Sequence, residues 1–339
     1  MAGGFRNSNN ELRSSLLGFK IGDKFFTSFI DKHRLVPLGE KIPRFLDSFS
    51  RGLSAVGGIK PGSDSRLFDP QLTQPLAVAI WQTNIPTREK LKINDEFIEE
   101  KLSIAQKYAS SNKVKLLVAP EGTLNSNFYL SKGFKVNTLA GGFRNSNNEL
   151  RSSLLGFQIG DKSFTTFIDK NRLVPIGEKI PRFLDSFSRG LSAVGGIQPG
   201  SDSRFFDPKF TPPLAVAICY EISDGLEIRK AINSGAKLII TAANLDPYPA
   251  KLYNQFLSLA RLRSIENKKN NLLVSNTGPS GLVQDDGKII KLLDYDVERN
   301  EIVFPNFSSE KTFYTKFGDK PILFLFILFM GLNFFWKIN

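Results

Sequence analysis

Residues Ala2 to Ile80 recur almost unchanged as Ala140 to Ile218, at an offset of 138 residues and with about ten differences. Both stretches carry GGFRNSNNELRSSLLGF, then RLVP, GEKIPRFLDSFSRGLSAVGGI, PGSDSR and PLAVAI. The period is far too long for a solenoid, whose repeats run to about 20–45 residues and stack in longer series. After PLAVAI the copies part, the first continuing into Trp81-Gln82 and the second into Cys219-Tyr220. The break falls inside an apolar, strand-like run rather than in a linker. Two different strands therefore share one phrase, and the duplication joins them there. From about residue 76 the chain reads as one continuous domain, with residues 1–75 a partial duplicate of 139–213 set in front of it.

Within that domain strands and helices alternate. Leu76 to Trp81, Val114 to Ala119, Leu214 to Cys219, Lys237 to Ala242 and Asn271 to Ser275 are short apolar runs with strand character. Pro120 is expected to stop the second of them. Asp95 to Ser110 places Ile98, Leu102, Ala105 and Tyr108 at helical spacing. Gly225 to Ser234 and Ala250 to Asn267 read as further helices, the last with Leu252, Phe256, Leu259 and Leu262 on one face. Hairpin-like segments are expected over Gly156 to Asp169, around Gly160-Asp161, and at Asp285-Asp286-Gly287. Buried strands alternating with helices make the fold class α/β, in layers.

The inventory of reactive side chains is narrow. The chain has one cysteine, Cys219, and one histidine, His33, which lies in the front copy. A single cysteine excludes an internal disulfide and a Cys-rich zinc site. Chemistry that needs a Cys–His or Ser–His pair is nearly excluded too, so a Cys219 nucleophile requires a carboxylate or lysine as its base. No metal or other cofactor is expected. The formal charge of +12 suits an anionic partner, such as a phospholipid surface. Without a zinc-finger spacing, an RNA-binding motif or a compact Arg/Lys run, nucleic acid is not expected as a partner. Met1 is followed by a polar, Gly- and Asn-rich stretch with no signal-peptide pattern. Pro321 to Trp336 reads PILFLFILFMGLNFFW, one polar residue in sixteen and no charge, and is expected to enter a membrane as a transmembrane helix.

Three residues end or follow apolar strands, where side chains project into a cleft: Glu121 in VKLLVAPEGTL, Lys170 in FIDKNRLVPIGEKIP and Cys219 in LAVAICYEISDG. Acyl transfer needs a thiolate, a group to take its proton, and cations or donors facing the developing oxyanion. These three supply the first two and an ammonium for the third, with the Tyr220 N–H beside it. Singly, each also reads as an inert buried thiol, a turn carboxylate or a solvated lysine.

Together the strings resemble the nitrilase (carbon–nitrogen hydrolase) superfamily and, more narrowly, its membrane branch, the apolipoprotein N-acyltransferases. The resemblance covers about residues 76–305 and the terminal apolar helix. It rests on LAVAIWQTNIP, the Pro120-Glu121 step, the K-x-x-L-V-P-x-G-E string from Lys170 to Glu178, Cys219-Tyr220-Glu221, the helix FLSLARLRSIE and LLVSNTGPSGLV.

The resemblance implies a four-layer α-β-β-α nitrilase-like sandwich over 76–310, followed by a transmembrane helix over 321–336. It implies Glu121 as general base, Lys170 holding the tetrahedral intermediate and Cys219 as nucleophile, with Glu178, Tyr220 and Glu221 supporting them. The donor would be a phospholipid and the acceptor the N-terminal amine of an apolipoprotein's lipid-modified cysteine. The place would be a bacterial inner membrane, with the catalytic domain facing the periplasm, although Lys311, Lys316 and Lys320 before the helix point the other way by the positive-inside rule. The chain departs from the family in two places. The partial repeat stands where the family carries a membrane bundle, and Ala243-Asn244-Leu245-Asp246-Pro247-Tyr248 replaces an Asn-Asp-Ala-Trp-Phe-like string. The front copy keeps Lys32 and Glu40 but has Trp81 at the nucleophile position and no Pro-Glu step before it, so it is expected to be catalytically dead. Two other readings stay open: a hydrolytic amidase or nitrilase with the same triad, and an inactive, rearranged interaction protein.

Overall fold

Alternation along two strands sets the layers. In the strand Val78–Gln82, Val78 and Ile80 turn to one apolar cluster while Ala79 and Trp81 turn to another. In Leu214–Ile218, Leu214, Val216 and Ile218 share the cluster of Val78 and Ile80, whereas Ala215 and Ala217 face a third. A strand buried on both faces lies inside a layered α/β fold. In the computed structural model the described residues are 2–8, 11–18, 28–31, 76–90, 94–126, 128–174, 178, 196–200 and 203–338. They fall into two units, Met1–Pro75 and Leu76–Asn339.

In the first unit, β1 (Ala2–Ser8), β2 (Glu11–Gly18) and β3 (Ser28–Asp31) form an antiparallel sheet in the order β1-β2-β3. The readings placed on Lys32, His33 and Glu40 lie outside the described residues.

In the second unit, β4 (Val78–Gln82) is followed by a short α1 (Thr87–Lys90), α2 (Asp95–Ser111), β5 (Leu116–Leu124), β6 (Asn137–Ser146), β7 (Glu149–Phe157) and β8 (Thr166–Asp169). Then come β9 (Phe205–Phe206), β10 (Leu214–Ile218), α3 (Gly225–Asn233), β11 (Leu238–Ala243), α4 (Lys251–Asn267) and β12 (Asn271–Ser275). The hairpin of β13 (Gly281–Val283) and β14 (Ile289–Leu292), β15 (Arg299–Val303), α5 (Phe313–Phe317) and α6 (Lys320–Ile338) complete it. One mixed sheet runs β15-β4-β5-β6-β7-β8 and the other β14-β13-β12-β11-β10-β9. Their facing sides meet in a cluster of Val78, Leu116, Val118, Leu214, Val216, Ile240 and Val274. Helix α2 covers the outside of the first sheet through Ile98, Leu102, Ala105 and Ala109. Helices α3 and α4 cover the second through Ile228, Ile232, Phe256 and Ala260.

Two expectations need correction, and one hairpin is not anticipated. Strand β5 does not stop at Pro120 but runs to Leu124, because pairing with β6 resumes beyond an irregularity between Ala119 and Leu124. The buried stripe of α4 is Tyr253, Phe256, Ala260, Arg263, Ser264 and Asn267, while Leu262 is exposed. Polar residues hold that face, so an apolar count mislocates it. The long β6–β7 hairpin also escapes the periodicity reading. Its strands carry Gly, Arg, Asn and Ser, and its turn is Asn147-Asn148, both at positive φ (51° and 63°), the conformation that a two-residue type I′ connection requires. In the first unit β1 and β2 pair in the matching register, Arg6 opposite Arg13 as Arg144 is opposite Arg151.

The segment expected to cross a membrane is helical, within α6, where Ile322 to Met330 lie 48 to 71% exposed. Among the described residues, no helix is long and apolar enough to cross a membrane.

Candidate active site

Glu121 sits in the irregularity of β5, where residues between Ala119 and Leu124 are unpaired with β6. A bulge of this kind re-aims a side chain out of the ladder. Gly122 takes φ 66° there, and Gly141 on β6 leaves the space: a Cβ at 141 would stand 2.4 Å from both Glu121 Cα and Pro120 O. The Glu121 carboxylate is buried. Its Oε1 accepts from Lys170 Nζ at 2.8 Å and, at 3.4 Å, from Ser152 Oγ. Its Oε2 accepts from the backbone N–H of Asn244 at 3.1 Å.

Lys170 follows β8 directly. Its N–H donates to Ser152 O and its carbonyl accepts from Gly200 N–H, both at 2.8 Å, so the backbone is held on two sides. The residue is 1% exposed, with Nζ also 2.7 Å from Glu178 Oε1. Glu178 in turn accepts from Val174 N–H at 2.8 Å. Burial works to lower the Lys170 pKa, but the charges of Glu121, Cys219 and Glu178 outweigh it, and the net shift is upward. The ammonium therefore keeps its proton throughout the neutral range. Burial raises the Glu178 pKa against the pull of Lys170.

Cys219 begins a tight 3-10 turn, Cys219–Ser223, immediately after β10. Its φ is 50°, a left-handed conformation that costs a non-glycine residue about 1–2 kcal/mol. Strain of this kind persists only where the surroundings over-determine it, and here they do. Glu221, two residues on, is buried and takes four donors: Ile218 N–H at 2.8 Å and Arg204 Nη1 at 2.6 Å on Oε2, Asn171 N–H at 2.6 Å and Arg172 N–H at 3.1 Å on Oε1. Arg204 Nη2 also donates to Asp169 O at 2.5 Å. The turn bearing the thiol is thereby tied to the residues on either side of Lys170. Asp169 is itself fixed by Ser153 Oγ at 2.7 Å and by a bidentate Arg144. Tyr220 is partly exposed, with the Arg172 guanidinium 5.0 Å from its ring centre.

The Cys219 thiol is buried and its pKa is raised, by burial first and then by the charges of Glu121 and Glu178. Lys170 and the Asn244 N–H draw it down. Tyr248 is pushed up to about 12, by burial first and then by Cys219. The three side chains singled out by sequence thus interact with one another, and Glu178 joins them through Lys170. A resting thiol beside a carboxylate and a permanent ammonium can pass its proton only as it attacks. Among the described residues, no group of three or more His, Cys, Asp or Glu side chains could hold a metal.

Sequence reasoning missed Ser152, Asp169, Arg204, Asn244 and Asn276. The last two lie in strings already noticed, but nothing in their spacing shows that Asn276 joins Asn244 to Thr83 and Ile85 beyond a strand of the other sheet.

No family model matches the chain. It is 66% identical over 259 residues, 76% of its own length, to an apolipoprotein N-acyltransferase of Prochlorococcus marinus subsp. pastoris, and 43% identical over 258 residues to that of another Prochlorococcus marinus strain. A Thermotoga maritima apolipoprotein N-acyltransferase is 28% identical over 253 residues. The chain spans about half the length of these relatives, 52% of the first two and 48% of the third. Among solved structures, a Nesterenkonia amidase of the nitrilase superfamily superposes with a TM-score of 0.51 at 13% identity, covering 71% of this chain and 93% of that one. A glutamine-dependent NAD+ synthetase from Acinetobacter baumannii gives 0.52 at 13% identity, over 67% of this chain and 45% of the other. At such identities the likeness is one of fold.

Proposed function

We propose that this chain, which by sequence belongs with the apolipoprotein N-acyltransferases and has the nitrilase-superfamily fold, transfers an acyl group through a thioester on Cys219. The reading rests on one arrangement above all: the buried Lys170 ammonium set between Glu121 and Glu178 and coupled to the Cys219 sulfur.

In the first half-reaction Glu121 takes the Sγ–H proton as the sulfur attacks the carbonyl carbon of a phospholipid ester. The C=O electron pair moves onto oxygen, and the oxyanion faces the Lys170 ammonium and the Tyr220 N–H. When the intermediate collapses, the ester C–O bond breaks and Glu121 returns the proton to the departing alkoxide, releasing a lysophospholipid. In the second half-reaction the N-terminal amine of an apolipoprotein attacks the thioester and gives its proton to Glu121. The C–S bond breaks, an amide forms, and the proton returns to sulfur. Glu178 holds Lys170, and Glu221 holds the nucleophile turn.

The exposed apolar side chains from Ile322 to Met330 and the formal charge of +12 support engagement of an anionic lipid surface by α6. The proposed setting is a bacterial inner membrane with the catalytic unit on the periplasmic side. Residues 1–75 are proposed to take no part in the chemistry.

Intact-protein mass spectrometry after incubation with phosphatidylethanolamine/phosphatidylglycerol vesicles tests the reading. The expected product is a hydroxylamine-labile acyl adduct on Cys219, absent from Cys219→Ala. Release of ammonia from small amides with no lipid adduct would replace acyl transfer by hydrolysis.

A further inference from the structure

The N–H of Asn244 donates to Glu121 Oε2 at 3.1 Å and works to lower the raised pKa of the Cys219 thiol. It lies just past the end of β11, in a stretch with no ladder to hold it. What holds it is a set of side-chain hydrogen bonds reaching from both sheets. Asn276, just past β12, donates from Nδ2 to Asn244 Oδ1 at 3.1 Å and to Ile85 O at 2.7 Å. Its Oδ1 accepts from Thr83 Oγ1 at 2.5 Å and from Ile85 N–H at 3.0 Å. Asn244 Nδ2 donates to Thr87 Oγ1 at 2.9 Å, and Thr87 N–H donates to Asp246 Oδ2 at 2.8 Å. The backbone follows: Asn276 N–H bonds Ala243 O at 3.1 Å, and Asn84 N–H bonds Asn276 O at 2.8 Å. Asn276 is fully buried, and every side-chain donor and acceptor position on it is engaged.

We infer that Asn276 is a positioning residue for the reaction proposed above, acting through Asn244, whose N–H it aims at the base and the nucleophile together. The inference rests on that reading. Its geometry is particular: one amide joins the segment after β4 in one sheet to the segments after β11 and β12 in the other, and the point it fixes is the donor at the reacting pair. A fully satisfied buried network of this kind specifies one arrangement, and losing one member leaves others unpaired. A misplacement of about 1 Å in a reacting group can cost about a hundredfold in rate.

The test uses the full chain with vesicles. Asn276→Asp keeps the volume and the two acceptor contacts but removes both Nδ2 donations. Its acylation rate is expected to fall by about ten- to a hundredfold, with the dependence on phospholipid concentration unchanged. The pH profile of Cys219 alkylation by iodoacetamide should move upward, since the thiolate loses a well-placed donor. Asn244→Ala should do the same, and the double variant should be no worse than the poorer single one, because both act through one loop. Thr83→Val, which removes a single bond to Asn276, serves if Asn276→Asp does not fold, and should give the same shifts to a smaller degree. Folded variants with wild-type alkylation profiles and rates, or losses that simply multiply in the double variant, would overturn the inference. If wild type forms no acyl adduct but the alkylation profile still shifts in Asn276→Asp, the positioning role stands and the acyl-transfer reading falls.

Discussion

Arg204 Nη1 lies 2.6 Å from Glu221 Oε2, and both side chains are almost wholly buried. The pair ties the turn that carries Cys219 to the strand end that precedes Lys170. Removing one partner leaves a charge in the interior without its counter-ion, which costs about 3–5 kcal/mol. Arg204→Met and Glu221→Gln should each lower the unfolding free energy of the full chain, read from urea denaturation, by a margin of that order. The double variant should lose less than the sum, since the second change removes the stranded charge. Additive losses would mean that the two residues act separately.

The charges around Cys219 oppose one another, and that gives two substitutions opposite effects on one thiol. Glu121 raises the thiol pKa and Lys170 lowers it. Glu121→Gln should therefore bring the thiolate in at lower pH and speed alkylation at a fixed pH, while abolishing the proposed turnover, for which Glu121 is the proposed base. Lys170→Met should slow alkylation and also abolish turnover. Rates of iodoacetamide labelling between pH 6 and about 10, read by mass spectrometry, separate the cases. Slower labelling in both variants would show that the charges do not act on the sulfur in these directions.

The same raised pKa has a consequence for stability. A thiol favoured in its neutral form when folded binds its proton more tightly than in the unfolded chain, whose thiol titrates near about 8.5. Below that value the group adds no pH dependence. Above it the unfolded state releases the proton first, and stability falls as pH rises. Cys219→Ser removes the titration, so the gap in unfolding free energy between the two proteins should change steadily with pH above about 8.5, to the disadvantage of the cysteine, and be flat below it.

The left-handed backbone at Cys219 makes a separate claim. Glycine adopts φ near 50° without steric cost, whereas alanine does not. Cys219→Gly should therefore be more stable than Cys219→Ala by about 1 kcal/mol, the reverse of their order in ordinary strand or helix positions. Thermal unfolding of the two variants decides it.

Much of this arrangement could be read from the sequence, and the parts that could not share a cause. The apolar runs at 78, 116, 214, 238 and 271 are buried on both faces, so continuous hydrophobicity marks them as interior strands. Glu121 and Cys219 stand where such runs break or end, and Lys170 follows the short, half-buried β8. The β6–β7 hairpin did not show itself, because Gly141-Gly142, Arg144, Asn145 and Ser146 look like loop until the close approach of Glu121 explains the glycine at 141. The polar stripe of α4 was hidden for a related reason: Arg263, Ser264 and Asn267 are buried by their partners rather than by their own apolarity. Arg204 meets Glu221 across 17 positions, and Asn276 meets Asn244 across 32. Asn276 reaches Thr83 across 193 positions, a separation that no window of residues captures.

Gly141 gives the sharpest test of how the duplication bears on the site. A methyl group there would press on the backbone of Pro120 and Glu121 at 2.4 Å, with no flexible side chain to yield. Gly141→Ala should displace Glu121, cost about 1–3 kcal/mol as overpacking does, and reduce the proposed acyl transfer more than any loss of folded protein accounts for. Gly3 occupies the matching place in β1, within a stretch of identical sequence, but the front copy carries Trp81 where the second carries Cys219. Gly3→Ala should therefore leave both turnover and the pH profile of Cys219 alkylation unchanged. Equal losses from the two substitutions would mean that the front copy contributes to the chemistry, and the assignment of residues 1–75 as catalytically dead would have to be abandoned.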